Sequence, residues 1–285
     1  MRNRIKYSQN FLTNDQLVKS LICKSGITID DTVIEVGAGE GIITKELIEK
    51  SKKVIAFELD SLFFEKLSEK FKNERSLELK HEDFLTSNSP TYPYKVLSNI
   101  PFNITSAIIK KLTLGSNPPK ESYLIVQKEA GAKFAGKPLD TKNSQLAVIL
   151  HPWFEFKVLY EFKSGDFFPK PNVDIILLAI KRRNTPLVND KNKYQDFVTY
   201  VFNQPKPSVQ ESLSKIMKIK PTNLRPSKLD FDDWISLFKF FLNQPEHRQN
   251  IIKGFFAKQL RDQENLKKIH RTRVDGNWKN YKFRQ

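Results

Sequence analysis

A glycine-rich turn in the first part of the chain has the composition of a nucleotide-binding loop. Gly37, Gly39 and Gly41 stand between an apolar run that ends at Val36 and a segment that begins at Ile42. Glycine is required where a side chain would block a ligand that approaches the backbone. An ordinary tight turn has the same composition, so the loop needs a partner residue before it indicates a binding site.

Glu58 is a candidate for that partner. It follows Gly37 by 21 positions, close to the spacing of about 20 at which an acidic side chain accepts hydrogen bonds from a ribose diol. The glycines form G-x-G-x-G, with Glu35 before them, rather than the G-x-G-x-x-G of dinucleotide enzymes. This variant favours a cofactor that has an amino-acid moiety and no pyrophosphate. Asp83 is a candidate acceptor for an adenine amine, and capping of a loop or helix is its alternative role.

Asn99, Ile100, Pro101 and Phe102 follow the fourth predicted strand and could act on an aromatic amine. The lone pair of such an amine is delocalised into its ring, which makes methyl transfer to it difficult. The side-chain oxygen of Asn99 and the carbonyl of Ile100 could each accept one N–H bond and concentrate the lone pair on nitrogen. Pro101 stiffens the turn, and Phe102 offers a face for a stacked base. A strand-ending turn with a core aromatic is the alternative interpretation.

A second aromatic motif, FFPKPNV, begins at Phe167. Either Phe167 or Phe168 could close the other side of a base pocket, and we assign this role to Phe167, with core packing as the alternative. The four histidines have no ligand-like spacing and Cys23 is the single cysteine, so we predict neither a metal site nor an intrachain disulfide. Methyl transfer needs no general base, because the amine becomes acidic only after it has been methylated.

Strands and helices that alternate along the chain must position these residues. The strands predicted from apolar runs cover residues 32–36, 54–58, 77–80, 96–98 and 123–126. Helical periodicity separates several of them, which indicates right-handed crossovers and a mostly parallel sheet. Two later strands, 154–162 and 173–180, have no long helix between them and predict an antiparallel edge. Ligands bind at the carboxyl ends of strands in such sheets, where the motifs above are expected to meet.

The change to helical patterns after the basic turn at 181–183 marks the predicted domain boundary. Residues 1–183 form the predicted catalytic domain, and residues 184–285 form a helical domain with a basic tail. A formal charge of +16 and a pI near 9.7 favour nucleic acid as partner, with an anionic membrane surface second. No apolar run reaches the roughly 18 residues of a membrane span. A single cysteine fits a reducing cytoplasm.

The motifs YSQNFL, EVGAGEG, NIPF and FFPKPNV occur in one order, and with them the chain resembles the rRNA adenine-N6 dimethyltransferases. That family includes the Erm enzymes of macrolide resistance and the KsgA type. The resemblance covers roughly residues 1–183 and implies an α/β fold. The expected architecture is a Rossmann-like class I methyltransferase sheet, mostly parallel with an antiparallel edge, and a smaller C-terminal α-helical domain. The resemblance implies that S-adenosylmethionine is the cofactor and that ribosomal RNA is the partner. We expect the protein to be a monomer.

The resemblance also implies roles for individual residues. Gln9, Asn10 and Leu12 would contribute to the methionine end of the cofactor site. The other implied cofactor contacts are Gly37, Gly39, Glu58, Leu59, Asp83, Phe84 and Asn99. Phe102 stands where many family members carry tyrosine, so stacking is kept and a hydroxyl contact is lost.

Within the family we favour the Erm branch, because NIPF is followed by NITS and because residues 204–207 lack the arginine-rich run expected of the KsgA type. This interpretation implies mono- or dimethylation of an adenine in 23S rRNA and resistance to macrolides, lincosamides and streptogramin B. A KsgA-type 16S rRNA dimethyltransferase is the nearest alternative. A relative that binds RNA or DNA without catalysis is the second. A DNA adenine methyltransferase would usually carry an acidic residue at the position of Asn99.

Overall fold

A computed structural model of the chain describes residues 10–206 and 208–271, with side chains as far as Gln263. Within these residues the strands are β1 (Phe11–Leu12), β2 (Thr32–Val36), β3 (Lys53–Phe57), β4 (Leu77–Lys80), β5 (Lys95–Asn99), β6 (Glu121–Gln127), β7 (Phe154–Glu161), β8 (Phe167–Phe168) and β9 (Ile175–Arg182). The helices are α1 (Asp15–Ser25), α2 (Ile42–Lys50), α3 (Ser61–Lys70), α4 (Thr105–Leu114), α5 (Lys128–Ala135), α6 (Gln145–Leu150), α7 (Lys191–Asn203), α8 (Val209–Leu213), α9 (Phe231–Leu242), α10 (Glu246–Gln249) and α11 (Phe255–Arg271).

Seven strands form one sheet in the order β4-β3-β2-β5-β6-β9-β7. The first five strands of this order run parallel, whereas β9 is antiparallel to both of its neighbours. Central strands are buried on both faces, which explains their continuous apolar runs; the six residues from Ile175 to Ile180 are all buried. This sheet confirms the predicted mostly parallel arrangement with an antiparallel edge.

Several elements begin or end where local sequence requires it. The sequence offers Thr13 or Asn14 as the cap of α1, and in the structure the side chain of Asn14 accepts the N–H of Leu17 at 3.1 Å. Helices α1 and α2 contribute Val18, Ile22 and Leu47 to the core beneath the sheet. Strands β2 and β5 pair in parallel, so their carboxyl ends lie at the same edge of the sheet. Val36 and Asn99, the last residues of these two strands, are therefore at that edge.

Two helices and one short sheet have no counterpart in the sequence prediction. Helix α6 has four consecutive buried residues, Ala147–Leu150, so it lacks the amphipathic period by which a surface helix is recognised. Helix α5 contains Gly131, which weakens a helical pattern. Strands β1 and β8 pair over only two residues each. Apolar periodicity predicts a helix over residues 209–217, and in the structure this helix ends at Leu213.

The chain divides into two compact units. The first extends to Thr141 and includes Trp153–Thr185, whereas the second comprises Lys142–Pro152 and the chain from Pro186 onward. A single break after residue 183 would assign Lys142–Pro152 to the first domain, and the structure corrects this placement. The Tyr194 hydroxyl on α7 donates to the carbonyl of Val148 on α6 at 3.2 Å, so α6 packs within the second unit.

Aromatic side chains form the core of the second unit. Phe197 of α7 stacks on Phe241 of α9 with ring centroids 4.9 Å apart, and Trp234 and Phe238 are equally buried beside them. No helix in the described part of the chain is both long and apolar enough to span a membrane.

Candidate active site at the carboxyl edge of the sheet

Two adjoining cavities open in the first unit where the parallel strands end. The first is lined by residues that include Asn10, Leu12, Gly37, Gly39, Asn99, Ile100, Pro101 and Phe102. The second is lined by residues that include Gly37, Glu58, Leu59, Asp83, Phe84 and Pro101. Gly37 and Pro101 line both cavities. The structure therefore brings together the predicted site residues except Phe167, and Gln9 lies outside the described residues.

The glycine loop between β2 and α2 depends on the protein's own packing as well as on space for a ligand. Gly39 and Gly41 have φ angles of +56° and +77°, and a Cβ atom at Gly39 would lie 2.9 Å from the Phe11 ring. A Cβ atom at Gly41 would lie 2.6 Å from Leu67. The sequence hypothesis attributed all three glycines to ligand approach. Gly37 also has a positive φ angle, +75°, so backbone conformation favours glycine at all three positions, and a Cβ atom at Gly37 would have only an ordinary contact with the protein.

Glu58 follows β3 directly and is 3% exposed. Its Oε2 accepts the N–H of Gly39 at 2.7 Å, and its Oε1 accepts the N–H of Asp60 at 2.8 Å. Each carboxylate oxygen has two acceptor sites, so each retains one after these bonds are made. Two oriented acceptors side by side match the two hydroxyls of a ribose diol.

Glu35 is a buried acid that the sequence analysis noted without assigning a role to it. Its side chain lines the first cavity, and its Oε2 accepts a hydrogen bond from the Thr44 hydroxyl at 2.6 Å. Burial, with a smaller contribution from the charge of Glu58, raises the pKa of Glu35 to about 8. The sequence signal for a functional role of Glu35 was an acidic residue within the otherwise apolar strand VIEV. Burial of a carboxyl group destabilises the folded state unless the group is paired.

The amide of Asn99 is oriented by the segment that precedes α1. Its Nδ2 donates to the backbone carbonyl of Asn10 at 2.7 Å, and the Nδ2 of Asn10 donates to the carbonyl of Pro169 at 2.6 Å. No hydrogen bond among the described residues uses the Oδ1 of Asn99. The bond to Asn10 thus leaves the acceptor atom of the amide available at the wall of the first cavity.

The β1–β8 ribbon holds this connection in register. Phe11 pairs with Phe168 and Leu12 pairs with Phe167 in the antiparallel arrangement. Thr13 extends the ribbon by one residue, since its N–H donates to the carbonyl of Asp166 at 3.2 Å.

The three phenylalanines near the site have different environments. Phe102 is half-buried and lines the first cavity. Phe167 is 2% exposed, packs against Phe162 with ring centroids 5.2 Å apart, and lines neither cavity. Phe168 is 71% exposed. Successive strand residues face opposite sides, so one of the pair enters the core. The assignment of Phe167 to the wall of a base pocket is therefore not supported by its position.

Lys111 contacts Phe84, one of the residues that line the second cavity. Its ammonium group lies 4.6 Å from the ring centroid of Phe84 and donates to the backbone carbonyls of Phe84 and Ser87. Burial lowers the pKa of Lys111, and the negative charge of Asp83 opposes this shift. Asp83 accepts the N–H of Leu85 at 2.8 Å, so its capping role and a contact with a ligand are compatible. Composition alone identified Lys111 only as one of many basic residues.

The chemistry of the two cavities fits a nucleoside joined to an amino acid. Glu58 offers acceptors for a diol, Asp83 offers an acceptor for an exocyclic amine, and Glu35 offers a carboxyl group for a cationic centre. Among the described residues there is no group of three or more His, Cys, Asp or Glu side chains that could hold a metal ion.

The strand order, the glycine loop and the Asn-Ile-Pro-Phe turn at the end of β5 define the catalytic domain of a Rossmann-like class I methyltransferase. The sequence model of the family described as Ribosomal RNA adenine dimethylase matches residues 1–239. The chain belongs to this family.

Individual relatives come from both branches considered above. An rRNA adenine N-6-methyltransferase of Escherichia coli is 35% identical over 201 residues, covering 70% of this chain and 78% of the relative. A ribosomal RNA small subunit methyltransferase A of Thermotoga petrophila is 30% identical over 211 residues, covering 74% and 80% of the two chains. The crystal structure of the 23S rRNA methyltransferase ErmE superposes with a TM-score of 0.73 at 25% identity, covering 82% of this chain and 100% of that one.

Proposed function

We propose that this protein transfers methyl groups from S-adenosylmethionine to the N6 amine of one adenine in 23S rRNA, once or twice. The consequence in a bacterial cytoplasm is resistance to macrolides, lincosamides and streptogramin B. The observation that carries the proposal is the oriented amide of Asn99, whose Nδ2 is held by Asn10 at 2.7 Å while its Oδ1 remains available. Family membership supplies the class of reaction.

The two cavities would divide the cofactor between them. Glu58 and Asp83 in the second cavity would hold the ribose and the adenine. Asn10 and Leu12, with Glu35, would surround the methionine end in the first cavity. Leu59 and Phe84 provide apolar contact for the adenine ring. S-adenosylmethionine supplies an electrophilic methyl group on a sulfonium centre.

The residues at the end of β5 would prepare the target amine. The Oδ1 of Asn99 and the carbonyl of Ile100 each accept one N–H of the adenine, which concentrates the lone pair on N6 and aims it at the methyl carbon. Pro101 has no N–H that could compete for either acceptor. Phe102 stacks against the adenine after the base has left its helix. The proton released after transfer leaves to solvent.

The choice of 23S rRNA is supported by sequence features. NIPF is followed by NITS, residues 204–207 lack an arginine-rich run, and the relative from Escherichia coli has a higher identity than the one from Thermotoga petrophila. The same Thermotoga relative favours a second candidate, dimethylation of 16S rRNA during maturation of the small subunit. Under either candidate, the first unit carries the chemistry and the helical second unit contributes RNA contacts.

Transfer of labelled methyl groups to different rRNA substrates tests the proposal. Purified protein is offered protein-free 23S rRNA, protein-free 16S rRNA and immature small subunits, and the modified base is mapped. The Asn99→Ala variant is the matched control. We expect label on one adenine of naked 23S rRNA. Label only on small-subunit particles would favour the second candidate, and label on no RNA would refute both.

A further inference from the structure

Phe168 is the most exposed large aromatic residue among the described side chains, with 71% of its surface accessible. Its ring makes no aromatic contact within that part of the chain. A single exposed apolar residue is ordinary on protein surfaces and needs no explanation by itself. Its position is what distinguishes Phe168, because the backbone that carries it is tied to the catalytic turn.

Two contacts hold the backbone around Phe168 in place, and a third links them to Asn99. Phe168 pairs with Phe11 in the β1–β8 ribbon, and the carbonyl of the next residue, Pro169, accepts the side chain of Asn10 at 2.6 Å. The carbonyl of Asn10 accepts the amide of Asn99 at 2.7 Å. Phe168 is therefore carried by the strand that pairs with the segment orienting Asn99, and its pairing partner Phe11 lines the first cavity. Because this backbone is already ordered, stacking of a base on Phe168 restricts only its side-chain torsions.

The local charge suits a polyanion. Lys163 and Lys170 flank Phe168 along the chain, and both are exposed. No ion pair among the described residues involves either lysine. The nearest carboxylate along the chain, that of Asp166, is already engaged by the N–H of Lys163 at 2.8 Å. Two exposed lysines without ion pairs among the described residues, close in sequence to an exposed aromatic ring, are a combination that suits single-stranded nucleic acid.

We propose that Phe168 is a stacking platform for an unpaired nucleotide next to the target adenine, with Lys163 and Lys170 on the adjoining phosphates. The inference rests on the proposed function and adds a subsite to it. A base that leaves its stack exposes the face of its neighbour, and Phe168 covers that face. Phe102 receives the target base itself, so the two aromatic residues serve successive nucleotides.

Kinetics with Phe168 variants test the platform. We compare Phe168→Ala and Phe168→Trp with the wild-type protein on the rRNA that accepts methyl groups. Tyr92→Ala is the matched control, because Tyr92 is an exposed aromatic residue of the same unit that lies in the loop before β5, away from the carboxyl edge. Phe168→Ala should raise KM for RNA about five- to 150-fold, the range measured for loss of one base–aromatic stack. Its KM for S-adenosylmethionine and its thermal unfolding should not change, and Phe168→Trp should restore RNA binding.

Binding to a labelled stem-loop RNA identifies the nucleotide. The stem-loop is copied from the mapped methylation site, and each neighbour of the adenine is replaced in turn by an abasic residue. Wild-type protein should lose affinity for one abasic RNA, whereas Phe168→Ala should bind that RNA and the intact one equally. Equal losses in both proteins would overturn the platform while leaving the proposed function intact. If wild-type protein methylates no rRNA, the proposed function fails and the platform fails with it.

Discussion

Replacement of Glu35 by glutamine should stabilise the protein at neutral and alkaline pH when no cofactor is bound. Glu35 is 1% exposed and accepts a hydrogen bond from Thr44 at 2.6 Å. Glutamine has the same length and retains an acceptor oxygen for Thr44. The substitution therefore removes a titrating group from the core with little change in packing.

The size and sign of the effect follow from the pKa of Glu35, which burial raises from 4.5 to about 8. Between these values the folded protein retains a proton that the unfolded chain has lost, so the free energy of unfolding falls as the pH rises through this window. The decline is about 1.4 kcal/mol for each pH unit and about 5 kcal/mol in total. Glu35→Gln lacks this decline and should be the more stable protein at about pH 8, with the difference vanishing toward about pH 4.5.

Urea unfolding followed by circular dichroism, from about pH 5 to about pH 9, measures the difference. Hydrogen exchange of peptides that cover residues 32–58 assigns the change to the first unit. Glu49→Gln is the control. Glu49 is an exposed residue of α2, the helix that follows the glycine loop, so its replacement removes a carboxyl group that is not buried. Parallel pH profiles for wild type and Glu35→Gln would refute the reasoning, since they would mean that Glu35 does not gain a proton on folding.

Three further predictions concern Asn99, Phe102 and Phe167. Asn99→Ala should lower turnover on RNA about 10²- to 10³-fold, the typical cost of one oriented polar contact in the transition state. Calorimetry should find that the variant largely retains cofactor binding. Collapse of cofactor binding would mean that Asn99 is mainly a cofactor or structural residue. Phe102→Leu should impair methyl transfer more than thermal stability, and unchanged turnover would remove the stacking role. Phe167→Ala should lower the free energy of unfolding by about 3–5 kcal/mol, because its ring is 2% exposed and its loss leaves a cavity; a small loss in urea denaturation would restore Phe167 as a candidate for the pocket wall.

The sheet could be predicted because each of its strands has a recognisable local composition. Each buried parallel strand is a short apolar run, and a glycine loop or an acidic residue marks where β2 and β3 end. Helix α6 could not be predicted by the same means. All four residues of Ala147–Leu150 are buried, so its sequence has neither helical nor strand periodicity, and its place in the second unit depends on contacts with α7 that are distant in sequence.

The candidate site was predictable in outline and not in its supporting contacts. Motif spacing identified Glu58 and Asn99, because each stands at the carboxyl end of a recognisable strand. The bond from Asn99 to the carbonyl of Asn10 joins residues 89 positions apart and leaves no mark on composition. The alternation that buries Phe167 and exposes Phe168 depended on the two-residue strand β8, which is too short to produce a pattern.

The hydrogen bond between Asn10 and Pro169 makes the order of synthesis matter. The two residues are separated by 159 positions, so a nascent chain that has emerged only as far as β6 already contains the glycine loop, Glu58 and Asn99. It lacks the carbonyl that accepts the Asn10 side chain, and β1 has no strand to pair with. The segment whose carbonyl accepts the Asn99 amide can therefore be anchored only after Pro169, near the end of the first unit, has left the ribosome.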